Sequence, residues 1–315
     1  MSGAIGVVGY GPVGAETVER LLAAGRTVVV AQRQPPSALP PGAAFRSCDA
    51  LDGDSVRAAL AGLEQVVLAI GFPYVGARWR SDWPKAVAIV VDACAAIGAR
   101  LVFFDNLYMY GPQTAPLSES TPLRPYGVKP AARVAATRVW TAASEAGRLR
   151  VAALRAPDFY GPGVTLSHLG ETAFGAVAKG GRALFIGSPD TPHDFAYVPD
   201  CGRAVVSLLD APDDAFGQAW HVPCAPIRTP RQILELGAAA IGVAPKAIGL
   251  PPALLAPLGL FVPQFGELAE MRFQWNRPYR VDASKFSARF WSDPTPFEVG
   301  APATAIWFRD RAKTA

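Results

Sequence analysis

At 315 residues the chain is long enough for one large α/β domain or for two closely interleaved ones. Half of the residues are hydrophobic and 18% are charged, which predicts a full buried core and excludes a disordered chain. The formal net charge of +4 is small, and the Lys and Arg residues are scattered, so no basic patch indicates nucleic-acid binding.

The cysteine and histidine content indicates neither disulfides nor a metal site. The four cysteines lie far apart without a CxxC pair, and the chain has three histidines, so we expect reduced thiols in a cytoplasmic protein and no zinc. The most apolar stretch, residues 248–262, is interrupted by prolines and is too short to cross a bilayer. Because the first predicted strand begins near residue 4, we also expect no signal peptide.

In the first half of the chain, short β-branched runs alternate with longer Ala-rich stretches, a pattern typical of a parallel sheet with crossover helices. The predicted strands are residues 4–8, 27–31, 44–48, 65–69, 100–104 and 151–154. The predicted helices between them are residues 13–24, 54–61, 83–96 and 131–146. The strands are apolar along their length, which predicts helices on both faces. We therefore expect an α/β fold with a doubly wound, parallel Rossmann sheet.

After about residue 161 the pattern changes, since Pro and Gly become frequent and the two predicted helices, 169–179 and 231–241, are separated by irregular segments. We predict a dinucleotide-binding domain over 1–160. Residues 161–315 form a smaller, mainly substrate-binding region at the carboxyl edge of the sheet. The two are interleaved, with parts near 183–210 returning to the Rossmann sheet.

A glycine-rich turn follows the first strand and opens the first helix. It has the GxGxxG pattern, which permits a tight turn and lets the backbone and the helix amino terminus approach a pyrophosphate. This context favours a dinucleotide site over a merely structural turn. The predicted cofactor-binding residues of the turn are Gly9, Tyr10, Gly11, Pro12, Val13 and Gly14.

The end of the second strand reads Ala31-Gln32-Arg33-Gln34, where an NAD-binding chain would carry an acidic residue for the ribose diol. No carboxylate repels a 2′-phosphate here, and Arg33 is available to pair with one, which favours NADP(H) and leaves NAD(H) possible. The alternative is that Arg33 is a solvated surface residue.

Three later segments resemble the extended short-chain dehydrogenase/reductase superfamily, in its epimerase/dehydratase-like branch. Residues 154–163, LRAPDFYGPG, resemble its LRPxNxYGPG segment. Residues 193–200, HDFAYVPD, with RA at 203–204, resemble its RDFxYVDDxxRA segment, and DPTPF at 293–297 resembles its usual carboxyl end. Their order and spacing extend the resemblance from about residue 4 to residue 312.

The resemblance implies a Rossmann fold, an NAD(P)-dependent enzyme, a small-molecule substrate and a homodimer formed through outer-layer helices. It places Asp49 near the adenine and the segment 154–163 beside the nicotinamide. The further cofactor-lining residues that it implies are Ala69, Ile70, Gly71, Ala156 and Pro157.

The family performs its chemistry with a Ser or Thr, a Tyr and a Lys, the last two as YxxxK. Its lysine and cofactor lower the pKa of the tyrosine, so the phenol exchanges a proton with the substrate oxygen. Counting back from Tyr110 puts Asn106 at the Ser/Thr position, where an amide can donate a hydrogen bond but cannot relay a proton. Tyr108, two residues on, is a further pocket candidate.

The tyrosine–lysine motif is one residue short, because Tyr126 and Lys129 form YxxK and Pro130 follows. A proline disfavours helical geometry in the residue before it, so Lys129 is expected outside the helix, with Pro130 as a first helical residue. The two alternatives are a pair that converges from a loop and two surface residues. Lys129 is also a candidate cofactor contact through the resemblance.

Two departures from the family pattern bear on the substrate. Asp158 stands where Asn is usual, and it is either an acid, base or substrate-orienting group or a turn-forming residue. His193 stands where sugar-nucleotide enzymes use an Arg for the diphosphate, which makes such a substrate less favoured.

These observations predict an NADP(H)-dependent oxidoreductase acting on a small, partly apolar carbonyl or alcohol. One alternative is a redox-neutral epimerase, dehydratase or lyase that retains its NAD(P). Another is a sensor that binds NADP(H) without catalysis, which the replaced Ser/Thr and the shortened YxxK favour.

Overall fold

The structure is a computed structural model that describes residues 3–314. The strands in chain order are β1 (Ile5–Val8), β2 (Val28–Gln32), β3 (Ala43–Ser47), β4 (Gln65–Leu68), β5 (Arg100–Asn106), β6 (Val151–Ala156), β7 (Phe159–Tyr160), β8 (Ala183–Ile186), β9 (Ala196–Tyr197), β10 (Gln218–His221) and β11 (Ala247–Leu250). The α-helices are α1 (Pro12–Ala23), α2 (Gly53–Leu60), α3 (Gly76–Ile97), α4 (Val128–Glu145), α5 (Ala176–Ala178), α6 (Val198–Leu209), α7 (Pro230–Ala240), α8 (Leu255–Gly259), α9 (Pro263–Ala269), α10 (Ser284–Arg289) and α11 (Phe297–Thr314).

The chain divides into two compact units. The first comprises Met1–Met109, Val128–Arg155 and Cys201–Trp220, and the second comprises Tyr110–Gly127, Ala156–Asp200 and His221–Ala315. The chain passes from one unit to the other several times, so each unit is assembled from three separate segments.

The first unit is built on a seven-stranded sheet of order β10-β6-β5-β4-β1-β2-β3. The ladders that join β1 to β2 and β4, β2 to β3, and β4 to β5 are parallel. Strands β1 and β4 are buried along their whole length, as strands covered on both faces must be. This sheet confirms the predicted doubly wound Rossmann fold.

The six predicted strands of the sheet are present, with bounds shifted by one or two residues. The seventh strand, β10, was missed because it has four residues, two of them only half buried, and lacks a β-branched run. Helix α3 begins seven residues before the predicted start, and Pro84 lies inside the helix. Trp79 buries one side of the added turns in the core.

In the second unit, α7 and α11 pack around a core that includes Phe174, Ile233 and Phe297. Gly237 of α7 makes this packing possible, because a Cβ there would lie 2.7 Å from the carbonyl oxygen of Ala301. The predicted helix 169–179 is a π-helical turn over Gly170–Gly175 followed by the short α5.

The apolar segment 251–262 forms short helical pieces and does not form one buried helix. Leu255 is fully buried, whereas Leu260 and Phe261 are each 84% exposed. Prolines and short helical pieces prevent one continuous apolar face along this segment. Among the described residues, none of the helices combines the length and apolarity that a membrane span requires.

Candidate active site

The glycine turn between β1 and α1 has the backbone that its sequence predicts. Gly9 has a φ of 96°, a region that favours glycine, and a Cβ at Gly14 would collide with the carbonyl oxygen of Gly9. Gly11 is the N-cap of α1 and offers no side-chain cap. The first-turn N–H groups of α1 are therefore suited to bind an anionic ligand.

Open space borders the glycine turn. A Cβ at Gly11 or at Gly71 would meet nothing within 4 Å, so both backbones border open room. Ala69 lies behind the turn, since its N–H donates to the carbonyl of Val8 and a Cβ at Gly9 would lie 2.5 Å from its carbonyl oxygen. Ile70 and Gly71 continue from Ala69, at the carboxyl end of β4.

Gln32, at the end of β2, contacts the glycine turn. The N–H of Tyr10 donates to Gln32 Oε1 over 3.1 Å, and Gln32 Nε2 donates to the carbonyl of Gln34 over 2.9 Å. Arg33 is exposed. The sequence pointed to Arg33 and did not predict the contact of Gln32 with the glycine turn, although the place of Gln32 as the last residue of a buried strand was the available signal.

Asp49 is exposed and caps the turn after β3. Its N–H donates to Ser55 Oγ over 2.9 Å, and its Oδ1 accepts the N–H of Leu51 over 3.0 Å. One carboxylate oxygen of Asp49 thus has a local structural role, and the residue stands after β3 as predicted.

Asn106 and Tyr108 lie together after β5. The N–H of Tyr108 donates to Asn106 Oδ1 over 3.0 Å, and because an N–H can only donate, the amide nitrogen of Asn106 faces another direction. The Tyr108 ring stacks on Trp79, with 5.9 Å between ring centroids and 15° between planes. The arrangement gives Asn106 a fixed amide that can donate to a substrate oxygen.

A buried ion cluster supports this segment, and sequence reasoning did not find it. Asp105 Oδ1 accepts Nη1 of Arg133 over 2.8 Å and also the N–H of Asn106 over 2.8 Å. Arg155 Nε lies 4.0 Å from Asp105 Oδ2. The Arg133 guanidinium lies 3.4 Å from the centroid of the Trp83 ring. Burial lowers the pKa of Arg133, while Asp105 acts to raise it.

Lys129 is fully buried in α4, where its Nζ lies 4.6 Å from the centroid of the Tyr74 ring. The surface alternative for Lys129 is therefore wrong. The expectation that Pro130 keeps Lys129 out of the helix is also wrong, because α4 begins at Val128. Proline is tolerated in a first helical turn, where its missing N–H has no intrahelical acceptor.

Tyr126 belongs to the second unit and precedes the helix, followed by Gly127 with a φ of 95°. Its side chain is 44% exposed, and Arg272 Nη2 donates to its hydroxyl over 3.2 Å. Because Tyr126 is not helical, the angular argument for YxxxK spacing does not apply to it.

Asp158 lies between β6 and β7, after the buried residues Ala156 and Pro157. Its Oδ2 accepts the N–H of His168 over 3.1 Å. Burial raises the pKa of Asp158 to about 6, although backbone N–H groups of His168 and Phe159 act to lower it. A carboxyl group in this range can exchange a proton near neutral pH.

His168 and His193 lie in an aromatic cluster of the second unit. The His168 ring stacks on Trp275 with 5.6 Å between centroids and an 11° interplanar angle, and His193 stacks on Tyr279 at 4.9 Å and 13°. Burial lowers the pKa of each histidine to about 3, so both rings are neutral at pH 7. The sequence did not predict the stacking of His168 on Trp275 or of His193 on Tyr279, because the cluster joins distant segments.

A cavity of about 520 Å³ lies at the amino ends of β4, β5 and β6. Its arginines already have partners, such as Arg26 with Asp210 and Arg150 with Asp213. Ligands of parallel α/β sheets bind at the carboxyl ends of the strands, so this cavity is not the candidate site. Within residues 3–314, the His, Cys, Asp and Glu side chains form no group that could hold a metal ion.

Comparison with known proteins gives a family and a fold. Residues 5–222 match the model of the NAD dependent epimerase/dehydratase family. Among curated proteins, none is similar enough to this chain to count as a match.

Several solved structures share the fold over nearly the whole chain. UDP-glucose 4-epimerase of Thermus thermophilus, in complex with NAD, is 22% identical over 97% of this chain and 99% of its own, with a TM-score of 0.79. UDP-glucuronic acid 4-epimerase of Bacillus cereus, also with NAD, is 16% identical over 98% and 99%, with a TM-score of 0.80. The double mutant of DesIV, a dTDP-glucose 4,6-dehydratase of Streptomyces venezuelae, is 18% identical over 98% of both chains, with a TM-score of 0.77.

The resemblance to extended short-chain dehydrogenases/reductases is thereby confirmed, as is the α/β fold class. With more than half of its length matched, the chain belongs to the NAD dependent epimerase/dehydratase family, a family of NAD-dependent enzymes.

Proposed function

We propose that the chain is an NADP(H)-dependent oxidoreductase that interconverts a small, partly apolar carbonyl compound and its alcohol. The observation that carries the cofactor preference is Gln32, a neutral side chain hydrogen-bonded to the glycine turn where an acidic residue would repel a 2′-phosphate. The uncharged surroundings of His193 support an uncharged substrate.

The residues that would hold the cofactor lie along the carboxyl ends of β1, β2 and β4. The first-turn N–H groups of α1 would bind the pyrophosphate, and Gln32 and Arg33 would lie beside the 2′-phosphate. When bound, the nicotinamide supplies or accepts the hydride. The segment Ala69–Gly71 leaves room for the cofactor because Gly71 adds no side chain.

The proton chemistry begins from Asn106. Its amide donates a hydrogen bond to the substrate oxygen and polarises the carbonyl group, but it cannot relay a proton. Lys129 contributes a buried amino group, 4.6 Å from the centroid of the Tyr74 ring, that can donate hydrogen bonds to a cofactor or substrate oxygen. Tyr126 and Asp158 remain our candidate proton donors, with Asp158 favoured by its raised pKa of about 6.

A screen of small aldehydes and ketones with NADPH and NADH tests this proposal, with cofactor absorbance as the readout. We expect turnover that is faster with NADPH and that falls in Asn106→Ala and Lys129→Ala. The matched control is Lys179→Ala, which changes an exposed lysine. Unchanged turnover in both site variants would refute the residue assignment.

A second candidate function is a redox-neutral epimerase or dehydratase that retains NAD. Membership of the NAD dependent epimerase/dehydratase family favours it. NAD that stays with the purified protein through dialysis, with product isomers formed and no net NADH, would support it against the oxidoreductase.

We also propose a cytoplasmic homodimer joined through outer-layer helices of the first unit. Reduced thiols fit this location, since burial raises the pKa of Cys48 to about 11 and of Cys94 to about 12 and so keeps both unreactive. Light scattering that gives the mass of one 33.2 kDa chain would refute the dimer.

A further inference from the structure

Tyr74 packs against the buried Lys129. It follows β4, on the segment that leaves the carboxyl end of that strand, and its side chain is half-buried. Nζ of Lys129 lies 4.6 Å from the centroid of the Tyr74 ring, and Lys129 is fully buried. A phenol is thus held against the amino group of Lys129, although Pro125 stands where the YxxxK spacing would place a tyrosine.

Aromatic contacts connect Tyr74 to the segment that carries Asn106. The Tyr74 ring meets Trp79 edge to face, with 5.3 Å between ring centroids and 76° between planes. Trp79 also stacks on Tyr108 at 5.9 Å, and the N–H of Tyr108 donates to Asn106 Oδ1. Packed rings of this kind have few alternative rotamers, so they fix Tyr74 relative to the amide of Asn106.

Positive charge lies near the phenol of Tyr74. Burial lowers the pKa of Arg133, whereas Asp105, Tyr108 and Tyr74 act to raise it. An electrostatic influence of this kind weakens with distance, so the Tyr74 phenol lies within range of the Arg133 guanidinium. Asp105 contributes one carboxylate against the two guanidinium groups of Arg133 and Arg155, which leaves one positive charge in the cluster. A nearby positive charge favours the ionised form of a phenol.

Tyr74 also belongs to the same compact unit as the groups that the proposed function uses. Asn106, Lys129 and Tyr74 are all in the first unit, whereas Tyr126 and Asp158 are in the second. The side chain of Tyr126 is 44% exposed, so water competes for its hydroxyl. A phenol in contact with Lys129 and held near Asn106 is therefore the better placed proton donor.

We propose that Tyr74 is a further catalytic residue, whose phenol O–H gives a proton to the substrate oxygen that Asn106 polarises. In the reduction, the carbonyl carbon accepts the hydride as the reduced nicotinamide is oxidised, and the electron pair of the C=O bond moves to the oxygen. That oxygen takes the phenol proton of Tyr74, and the phenolate regains a proton from water. This role rests on the proposed function, because it needs a substrate oxygen that gains a proton.

Tyr74→Phe tests the proposal, because it removes one hydroxyl group and keeps the ring. With NADPH and the best carbonyl compound from the screen, kcat should fall about 100-fold. The Kd for NADPH, measured by fluorescence titration, should change less than about twofold, since this phenol acts on the substrate. Tyr126→Phe and Asp158→Asn, measured in the same way, should each lose less activity than Tyr74→Phe.

A double variant tests whether Tyr74 acts together with Lys129. Groups that act as a unit have non-additive effects, so adding Tyr74→Phe to Lys129→Met should reduce kcat by less than about threefold further. Losses that multiply in the double variant would contradict the pairing of the two residues.

The contact itself is measured without cofactor or turnover. In protein labelled with ¹³C at the tyrosine Cζ, the resonance that is lost in Tyr74→Phe identifies this residue among the eight tyrosines. It should shift in Lys129→Met, which removes the amino group from its ring. Lys179→Met, which changes an exposed lysine, is the matched control and should leave the resonance in place.

A kcat of Tyr74→Phe within about threefold of the unchanged protein would overturn the proposal. A larger loss in Tyr126→Phe or Asp158→Asn would overturn it as well, as would a Tyr74 resonance that does not move in Lys129→Met. Turnover that survives Tyr74→Phe refutes the role of Tyr74 alone. Absence of turnover in the unchanged protein with every carbonyl compound refutes the proposed function, and the role of Tyr74 with it.

Discussion

The two units bury their ionisable side chains in opposite ways. In the first unit, Asp105 and Arg133 are buried as an ion pair, with Arg155 close to the same carboxylate. In the second unit, His168 and His193 are buried without an opposite charge, and burial holds both neutral by lowering the pKa of each. Burial alone thus removes charge, whereas a partner of opposite charge retains it.

This difference is consistent with our proposal that the first unit binds the cofactor and the second unit binds the substrate. The glycine turn and the amino terminus of α1 suit the first unit to a charged cofactor. Neutral rings suit the second unit to an uncharged substrate. Each of the following variants tests one side of the comparison.

The largest effect is expected from Lys129→Met, which removes the buried ammonium but keeps most of the volume. If this charge assists catalysis, turnover with NADPH should fall about 1,000-fold. Steady-state kinetics on the best carbonyl from the screen provide the measurement, with Lys179→Met as the matched exposed control. A loss of less than about threefold would place Lys129 among the structural residues.

Removal of either member of the ion pair in the first unit should destabilise the protein. Asp105→Asn leaves the buried Arg133 guanidinium without its carboxylate, and Arg133→Met leaves Asp105 with only the more distant Arg155. Each change should cost about 3 kcal/mol in the free energy of unfolding. The double variant should cost less than the sum of the two, because it removes both charges. Urea denaturation measures all three.

The exposed pair Arg57 and Asp54 provides the control for this cluster. Arg57→Ala should change the free energy of unfolding by at most about 1 kcal/mol. If Arg133→Met also changed the free energy of unfolding by at most about 1 kcal/mol, Asp105 and Arg133 would not form a buried ion pair that stabilises the protein.

The neutral histidines predict a pH dependence with a defined sign. The folded pKa of His193 is about 3, below its ordinary 6.5, so the unfolded chain takes up the proton first. The contribution of His193 to stability is therefore lost as the pH falls below 6.5. His193→Phe cannot take up this proton. When the pH is lowered from 7.5 to 5, its free energy of unfolding should therefore rise by about 2 kcal/mol relative to that of the unchanged protein.

Asp158 gives the opposite sign and serves as the control. Its folded pKa of about 6 lies above the ordinary 3.8, so the folded chain holds the proton longer and stability falls as the pH rises through 6. When the pH is raised from 5 to 7.5, the free energy of unfolding of Asp158→Asn should rise by about 1 kcal/mol relative to that of the unchanged protein. Urea denaturation at pH 5 and pH 7.5 measures both variants. If the relative free energies of unfolding of the two variants changed in the same direction with pH, the opposite pKa shifts of His193 and Asp158 would be contradicted.

The smallest effect concerns the cofactor end of the first unit. Gln32→Asp places a carboxylate beside the 2′-phosphate and should reduce the NADPH to NADH preference about fivefold. Arg33→Ala should also reduce the preference, by less, because Arg33 is exposed. Fluorescence titration measures both, and an unchanged preference in both variants would refute the selecting role of this segment.

The sequence predicted the parts of the fold that depend on local pattern. The β-branched runs and the glycine turn identified the Rossmann sheet because each stretch carries its own periodicity and turn chemistry. Strand β10 was missed since four residues carry too little pattern. The first turns of α3 were missed, and tertiary packing stabilises that helix although Pro84 lies inside it.

The contacts of the candidate site were harder to predict, because they join distant segments. Asp105 and Arg133 are 28 residues apart in sequence, and nothing local marks them as a pair. The stacking of His168 on Trp275 likewise has no local signal. Asn106 and Lys129 could be named only because a family motif supplied their positions.

Titration of the nucleotide-free protein with NADPH, NADH and their oxidised forms tests whether the chain has an exchangeable NADP(H) site. We expect reversible binding in which NADPH is clearly preferred to NADH. Tight retention of NAD, with no preference for the phosphorylated cofactor, would contradict it. That result would support the redox-neutral function and show that Gln32 and Arg33 do not select the cofactor.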